Sequence, residues 1–311
     1  VLESTTYPGT TEGEFRITLE RESGLTAGTD FDLAFSPERI DPGNSKFNIS
    51  NTPKLVGGTT PLASQRAVNL YSKFVGVLVQ ASDAKTAEVA KLLENTYRHI
   101  NIAFINEFAI ACKDMGVDVF EVIDLAATKP YGFQKFIPGA GAGGHCIPID
   151  PNYLVHTLIE AKSAKHQFID LANSMNEQVS QFIALRVAEF VQNKTTNPKP
   201  KLLVLGLTYK PNVADLRESP AARIAEQLAQ LPFEIEVHDP HCEGQDLWRS
   251  HKVVPNSELA MRLDDADCIL ILQPHDYYID MAKSINFHSR KTLVTFRNSE
   301  IHAENIYASN V

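Results

Sequence analysis

Lys201-Leu202-Leu203-Val204-Leu205-Gly206-Leu207 is the stretch whose reading sets the fold class. A short, nearly unbroken apolar run closed by a glycine is the pattern of a buried strand. Working outward, 220–231 reads as a helix, 234–238 as a strand and 257–263 as a helix, with further strands at 268–272 and 292–296. This alternation predicts a small parallel sheet with crossover helices, a nucleotide-binding type of architecture. Upstream, the polar, proline-containing run 193–200 reads as a linker.

Before the linker the pattern turns helical. Asp83 is placed to cap a helix that runs to about Met115 and stops at Gly116, with apolar residues at Val89, Leu92, Leu93, Ile100, Phe104 and Phe108. A second helix is expected over 118–127, and others from Asp150-Pro151 to about Gln192. Residues 1–83 return to α/β character, with strands expected at 1–2, 31–35, 55–56 and 75–79 and a helix over 61–73. The predicted class is α/β with three domains: 1–83, 84–195 and 196–311.

With 43% hydrophobic and 22% charged residues, the 311-residue chain is globular rather than disordered and long enough for several domains. Its net charge of -9 gives no basic excess to neutralise phosphates, which argues against nucleic-acid binding. The four cysteines (112, 146, 242 and 268) include no CxxC pair, so neither a metal site nor a redox dithiol is suggested, and a reducing, cytoplasmic setting is expected. No run approaches the ~18 apolar residues of a membrane span. The chain opens on Val-Leu-Glu-Ser-Thr-Thr, which reads as the end of a buried strand, so the expectation is that it begins inside a domain.

Chemistry concentrates in Pro138-Gly139-Ala140-Gly141-Ala142-Gly143-Gly144-His145-Cys146-Ile147-Pro148-Ile149-Asp150-Pro151. Glycines let backbone approach a ligand, and a cysteine directly after them can serve as a nucleophile if its thiolate is favoured. The loop follows a turn-like segment, not a strand, so it is no dinucleotide fingerprint. The alternative is a glycine-rich connector with a buried, inert cysteine. His145 adjoins Cys146, but neighbouring side chains in an extended loop point apart. Asp150 is an acid or base candidate or, standing before Pro151, a helix cap.

Lys91 and Asn95, four residues apart, share a helix face and could stabilise an oxyanion; the alternative is a solvated face. Ser36-Pro37-Glu38-Arg39 puts a carboxylate just after a strand, where open α/β sheets bind ligands, or else forms a surface ion pair. Gly206-Leu207-Thr208-Tyr209-Lys210 and Arg217-Glu218-Ser219-Pro220 each suit a phosphate contact.

Together with Glu3-Ser4-Thr5 and Lys91-Leu92-Leu93-Glu94-Asn95, these segments resemble, in order, the nucleotide-sugar 6-dehydrogenase family, which includes the UDP-glucose/GDP-mannose dehydrogenases. The resemblance implies oxidation of a sugar C6 alcohol to a carboxylate with NAD, supplying surface polysaccharide synthesis. It implies Cys146 as the nucleophile that forms a thiohemiacetal and then a thioester. Lys91 and Asn95 are implied as oxyanion partners that also touch substrate, and Asp150 as the proton-handling group. Glu38 is implied in thioester hydrolysis and Thr5 in water placement, both beside the cofactor. Arg217 is implied as reaching the cofactor, and Gly143, Gly144, Lys210 and Arg39 as contacting the UDP-sugar. A neighbouring lysine cation would lower a thiol pKa from its usual ~8.5.

The resemblance further implies a partial N-terminal Rossmann-type domain, a central long-helix dimerisation domain giving a homodimer, and a C-terminal UDP-binding domain. Lys129-Pro130-Tyr131-Gly132-Phe133 resembles the N-acetylhexosamine branch, with UDP-N-acetylglucosamine as the expected substrate and UDP-glucose or UDP-N-acetylmannosamine as alternatives. The chain departs from the family in lacking the GxGxxG turn that binds NAD, which predicts poor NAD binding by this chain alone and keeps open a protein that only binds UDP-sugar. Thr295 stands where relatives commonly have Asp. A cofactor-free thiol hydrolase using Cys146 and His145 is the competing enzyme class.

Overall fold

The structure, a computed structural model, describes all residues except 42, 45, 163–165, 243–251, 285–291, 296–303 and 306–311. The chain divides into two units, Val1–Arg98 with Ile149–Ile169, and His99–Pro148 with Asp170–Val311.

In the first unit a π-type turn, Thr11–Phe15, leads into α1 (Arg16–Ser23). The sheet is β1 (Ala34–Phe35), β2 (Lys54–Gly58) and β3 (Leu78–Gln80), in that order, with β1–β2 antiparallel and β2–β3 parallel. Between β2 and β3 runs α2 (Pro61–Tyr71), whose start is set by Thr60: its hydroxyl accepts from the Ala63 amide at 3.1 Å, and Pro61 follows it. Ala67 and Tyr71 of α2 pack with Val56, Ala34 and Val75 to form this unit's main core.

The expected strand at 1–2 is a single bridge, Leu2 to Phe35, and the one at 31–35 shortens to β1. The expected strand at 75–79 shifts forward because the Val75 amide donates to Tyr71 O at 2.9 Å and the Gly76 amide to Ser50 O at 2.9 Å, which closes α2 before β3 can begin. The helix α1 was not expected; none of its residues is buried, so it carries no apolar stripe to betray it.

The 32-residue α3 (Ala84–Met115) begins in the first unit and ends in the second. Asp83 caps it, accepting the Thr86 amide at 2.6 Å. Then come α4 (Val119–Ala126), capped by Asp118, α5 (Asp150–Glu160) and α6 (Gln167–Lys194). The helix α6 takes the first two residues of the expected linker.

The second unit holds β4 (Lys201–Leu205), α7 (Pro220–Leu228), β5 (Glu234–His238), β6 (Lys252–Val253), α8 (Leu259–Asp265), β7 (Cys268–Ile271), α9 (Asp276–Ser284), β8 (Thr292–Thr295) and β9 (Glu304–Asn305). Its six strands are all parallel, in the order β6-β5-β4-β7-β8-β9. This is the doubly wound order, and the direction of winding reverses between β4 and β7. Leu202 and Val204 face a core shared with α7, while Leu203 and Leu205 face one shared with α8 and Tyr278 of α9, which explains why β4 is apolar throughout. The expected strand at 292–296 is β8, and its last residue lies outside the described residues. The sequence reading did not anticipate β6, α9 and β9.

Candidate active site

In the first unit, α3 turns Glu88, Lys91 and Asn95 to one face through i, i+3 and i+7 spacing, and all three are buried. Burial overturns the solvated-face reading of Lys91 and Asn95. A buried polar group must be hydrogen-bonded to be tolerated. Asn95 meets this demand by donating from Nδ2 to Asp150 Oδ2 at 2.5 Å. Asp150, only 1% exposed, stands in the first turn of α5, so two of the anticipated site residues meet across 55 positions of sequence.

Glu88 was not anticipated. Its carboxylate accepts from the Gly9 amide at 2.5 Å, the Thr11 amide at 2.9 Å and the Thr11 hydroxyl at 2.6 Å. It thereby pins the segment that follows Glu3-Ser4-Thr5 onto α3. Its position three residues before Lys91, on the same helix face, was the available signal.

Thr5 is half-buried and Glu38 exposed. The Glu38 carboxylate folds back to accept its own loop's amides, Arg39 N at 2.7 Å and Ile40 N at 2.5 Å. Arg39 pairs with Glu94 of α3 and donates to Pro53 O at 2.9 Å. A second anchor, also unanticipated, is buried Lys54, whose ammonium lies 3.1 Å from the Glu3 carboxylate and donates to Pro37 O at 3.3 Å. Tyr71 donates to Glu3 at 2.6 Å, and burial together with that bond pushes its phenol well above its usual pKa. Lys54 thus braces both segments that carry Thr5 and Glu38. Both leave the sheet after the parallel Leu2–Phe35 bridge, at the carboxyl ends of their strands.

In the second unit, the loop 138–148 presents Cys146 to solvent, while Cys112, Cys242 and Cys268 are buried. The buried-cysteine reading of this loop is therefore wrong. The Gly139 amide donates to Asn106 Oδ1 at 2.9 Å, and the Gly144 amide to Arg217 O at 3.1 Å. Side chains are excluded where the loop meets 209–220. A Cβ at Gly143 would lie 2.5 Å from Pro220 Cδ and 2.9 Å from Glu218 O; at Gly144 (φ +86°) it would lie 2.8 Å from the Tyr209 ring.

Lys210 and Arg217 follow β4. Their loop is set by Asp239, at the end of β5, and His275. Asp239 Oδ2 accepts from the Leu207 amide at 2.7 Å, the Thr208 amide at 3.1 Å and His275 Nε2 at 3.1 Å. Asn212 N donates to His275 Nδ1 at 2.8 Å, which leaves the ring proton on Nε2. Burial would raise the Asp239 carboxyl, but His275 and the backbone amides of Leu207 and His241 outweigh it and hold it at about 2. Arg217 grips Asp215 from Nε (3.0 Å to Oδ1) and from Nη2 (2.6 Å to Oδ2), and this holds Asp215 below the usual carboxylate range.

The residues divide by unit. Lys91, Asn95, Asp150, Glu38, Arg39 and Thr5 lie in the first; Cys146, Gly143, Gly144, Lys210 and Arg217 lie in the second.

Sequence models of the UDP-glucose/GDP-mannose dehydrogenase family match residues 1–75 (NAD binding domain), 85–178 (central domain) and 203–299 (UDP binding domain). The chain is 36% identical over 292 residues to UDP-N-acetyl-D-mannosamine dehydrogenase of Pyrococcus horikoshii, covering 93% of this chain and 65% of that one. It is 36% identical over 259 residues to UDP-N-acetyl-D-glucosamine 6-dehydrogenase of Pseudomonas aeruginosa, covering 82% and 60%. The solved structure of the Pyrococcus horikoshii enzyme superposes with a TM-score of 0.82 at 33% identity, covering 99% of this chain and 72% of that one. The chain thus spans 60–65% of the length of these two curated relatives.

Proposed function

Because the chain belongs to the UDP-glucose/GDP-mannose dehydrogenase family, we propose that it forms part of an enzyme that oxidises the C6 hydroxyl of a UDP-N-acetylhexosamine to the carboxylate. The observation that carries this reading is the Cys146 thiol, the one exposed cysteine among four, held just after two glycines, Gly143 and Gly144, that pack too closely on 209–220 to bear side chains. Such a thiol is accessible to a small electrophile.

The chemistry assigned to the chain's own residues follows. The Cys146 thiolate adds to the C6 aldehyde and forms a thiohemiacetal, whose oxidation leaves a thioester on sulfur. Water cleaves the thioester, releasing the uronate and the thiol. Lys91 and Asn95 bear the negative oxygen that develops at C6, and Asp150, hydrogen-bonded to Asn95, handles the proton of the attacking water. Glu38 assists hydrolysis and Thr5 places water. Lys210, Arg39 and the backbone at Gly143 and Gly144 hold the UDP-sugar.

NAD, when bound, accepts a hydride in each of the two oxidations. Thr5 and Glu38 fit a dinucleotide in that both leave the first sheet at carboxyl strand ends, and Arg217 is the cation proposed for it. A homodimer is part of the proposal. Val89, Leu93, Tyr97 and Phe104 are exposed at close to helical spacing along α3, a stripe of the kind that a second copy covers. No described helix is long and apolar enough to cross a membrane.

The preferred substrate is UDP-N-acetylglucosamine, with UDP-N-acetylmannosamine as the second reading because relatives of both names match at 36% identity. The product would supply surface polysaccharide synthesis. The test is to incubate the protein carrying this chain with NAD and each of UDP-N-acetylglucosamine, UDP-N-acetylmannosamine, UDP-N-acetylgalactosamine and UDP-glucose. Two NADH per uronate with an N-acetylated sugar is expected. No uronate from any of them overturns the activity, and equal rates on all four overturn the N-acetyl preference.

A further inference from the structure

We infer that the Arg217–Asp215 couple sets the reactivity of the Cys146 thiol, with the guanidinium favouring the thiolate and the carboxylate restraining it. This rests on the reading of Cys146 as the nucleophile. The geometry is local to the second unit. The Gly144 amide donates to Arg217 O at 3.1 Å, so the residue two before the cysteine is fastened to the arginine's own backbone. Gly143 and Gly144 close on Glu218 O and Tyr209 with no space for a Cβ, so the two loops are held at contact distance. Asp215 partly neutralises the guanidinium: it accepts Nε and Nη2 of Arg217 as well as the Arg217 amide at 2.9 Å.

Arg217 and Cys146 thus stand on adjoining backbones and interact electrostatically, as do Asp215 and His145. The titratable and charged groups of the facing loop are Tyr209, Lys210, Asp215, Arg217 and Glu218, with His145 next to the thiol in sequence. Arg217 is permanently charged and 64% exposed, so its field acts at neutral pH and is screened by salt. Asp215 is held as a carboxylate by the same guanidinium and so attenuates that field. The nucleophile is thereby tuned from within its own unit.

The couple is an electrostatic device, and thiol alkylation reads it without cofactor or sugar. The protein carrying this chain is treated with iodoacetamide from pH 6 to 9, and modification of Cys146 is followed by peptide mass spectrometry. The other three cysteines make a quiet background: all are buried, and burial pushes the Cys242 and Cys268 thiols up to about 12 and raises that of Cys112.

Arg217→Gln is expected to slow alkylation at pH 7 about three- to tenfold and move the pH profile upward, as expected for removing one charge near a thiol. Arg217→Lys restores most of the rate, and Asp215→Asn speeds it about two- to fivefold with the profile moved downward. At high salt the difference between wild type and Arg217→Gln shrinks. Unchanged profiles in both Arg217→Gln and Asp215→Asn, or slowing by Asp215→Asn with the far-UV spectrum intact, overturn the inference. Should Arg217→Gln fail to fold, Asp215→Asn and the salt dependence of wild type decide it. The predicted alkylation pattern without any sugar oxidation would refute the dehydrogenase reading and leave the thiol tuning standing.

Discussion

The buried face of α3 and the exposed cysteine loop solve opposite problems. Glu88 and Asn95 are sealed from water, so each had to find hydrogen-bond partners inside the fold: the Gly9–Thr11 turn for one, Asp150 for the other. Cys146 is exposed, and the influence proposed for it comes from Arg217 on a neighbouring loop, a charge that salt can screen. Buried polar groups fix geometry at the expense of stability when disturbed, whereas an exposed thiol can be altered with little effect on the fold. The two regions should therefore fail differently under mutation.

The largest effect is expected at the exposed loop. Cys146→Ser should cut uronate formation by at least about a thousandfold while changing unfolding free energy by less than about 0.5 kcal/mol, as surface substitutions usually do. Mass spectrometry of product together with urea denaturation checks both halves, and normal uronate formation would remove Cys146 from the reaction. On the buried face, Glu88→Leu strands two amides and a hydroxyl and should cost about 3 kcal/mol of stability by denaturant unfolding. A loss below about 0.5 kcal/mol would erase the contrast between the regions.

A third prediction uses pH. Asp239 sits at about 2 in the folded protein against ~3.9 in an unfolded chain, so its bonds stabilise the fold above about pH 4 and that contribution is lost as pH falls toward 2. The amount is about 2 kcal/mol, and Asp239→Asn should flatten that part of the stability–pH curve. An identical acid dependence in the variant would show that the carboxylate is not what fixes the Lys210 loop. The smallest effect belongs to Asn95→Leu, which removes one donor from the buried Asp150 and should lower stability by about 1 to 2 kcal/mol. Its falling to the Glu88→Leu level would mean that the two partners of the buried face are equally demanding.

Much of the second unit was legible because its strands are apolar on both faces: β4 and β5 begin where the sequence places them, and β5 ends there too. The helices α2, α3 and α4 were each expected at nearly their observed starts, and α3 was the most legible because the Asp83 cap and the Gly116 stop bound it. The solvent-facing α1 and the short edge strand β6 gave no comparable signal. At the candidate site, Lys91, Asn95 and Cys146 stood out by residue type and by order along the chain. Glu88 did not, since a glutamate on a helix ordinarily faces water and its partners lie 77 and 79 positions earlier. Lys54 escaped notice for the same reason, its partners being Glu3 and Pro37 on separate segments. The Asp239–His275 bond joins the end of β5 to the start of α9, a helix that the sequence reading lacked altogether.

The strand order of the second unit also bears on how the protein comes to be made. Strand β4 is first of the six in the chain, yet it lies between β5, which is synthesised next, and β7, which follows only after β6 and α8. One edge of β4 must therefore wait on the ribosome with its backbone unpaired until Cys268–Ile271 has emerged. Pairing across such sequence distances is slow, and a nascent apolar strand with a bare edge is a target for chaperones and for its own neighbours on a polysome. The inner position of β4, which pairs it on both sides in the finished sheet, leaves it paired on one side only while the chain is being made.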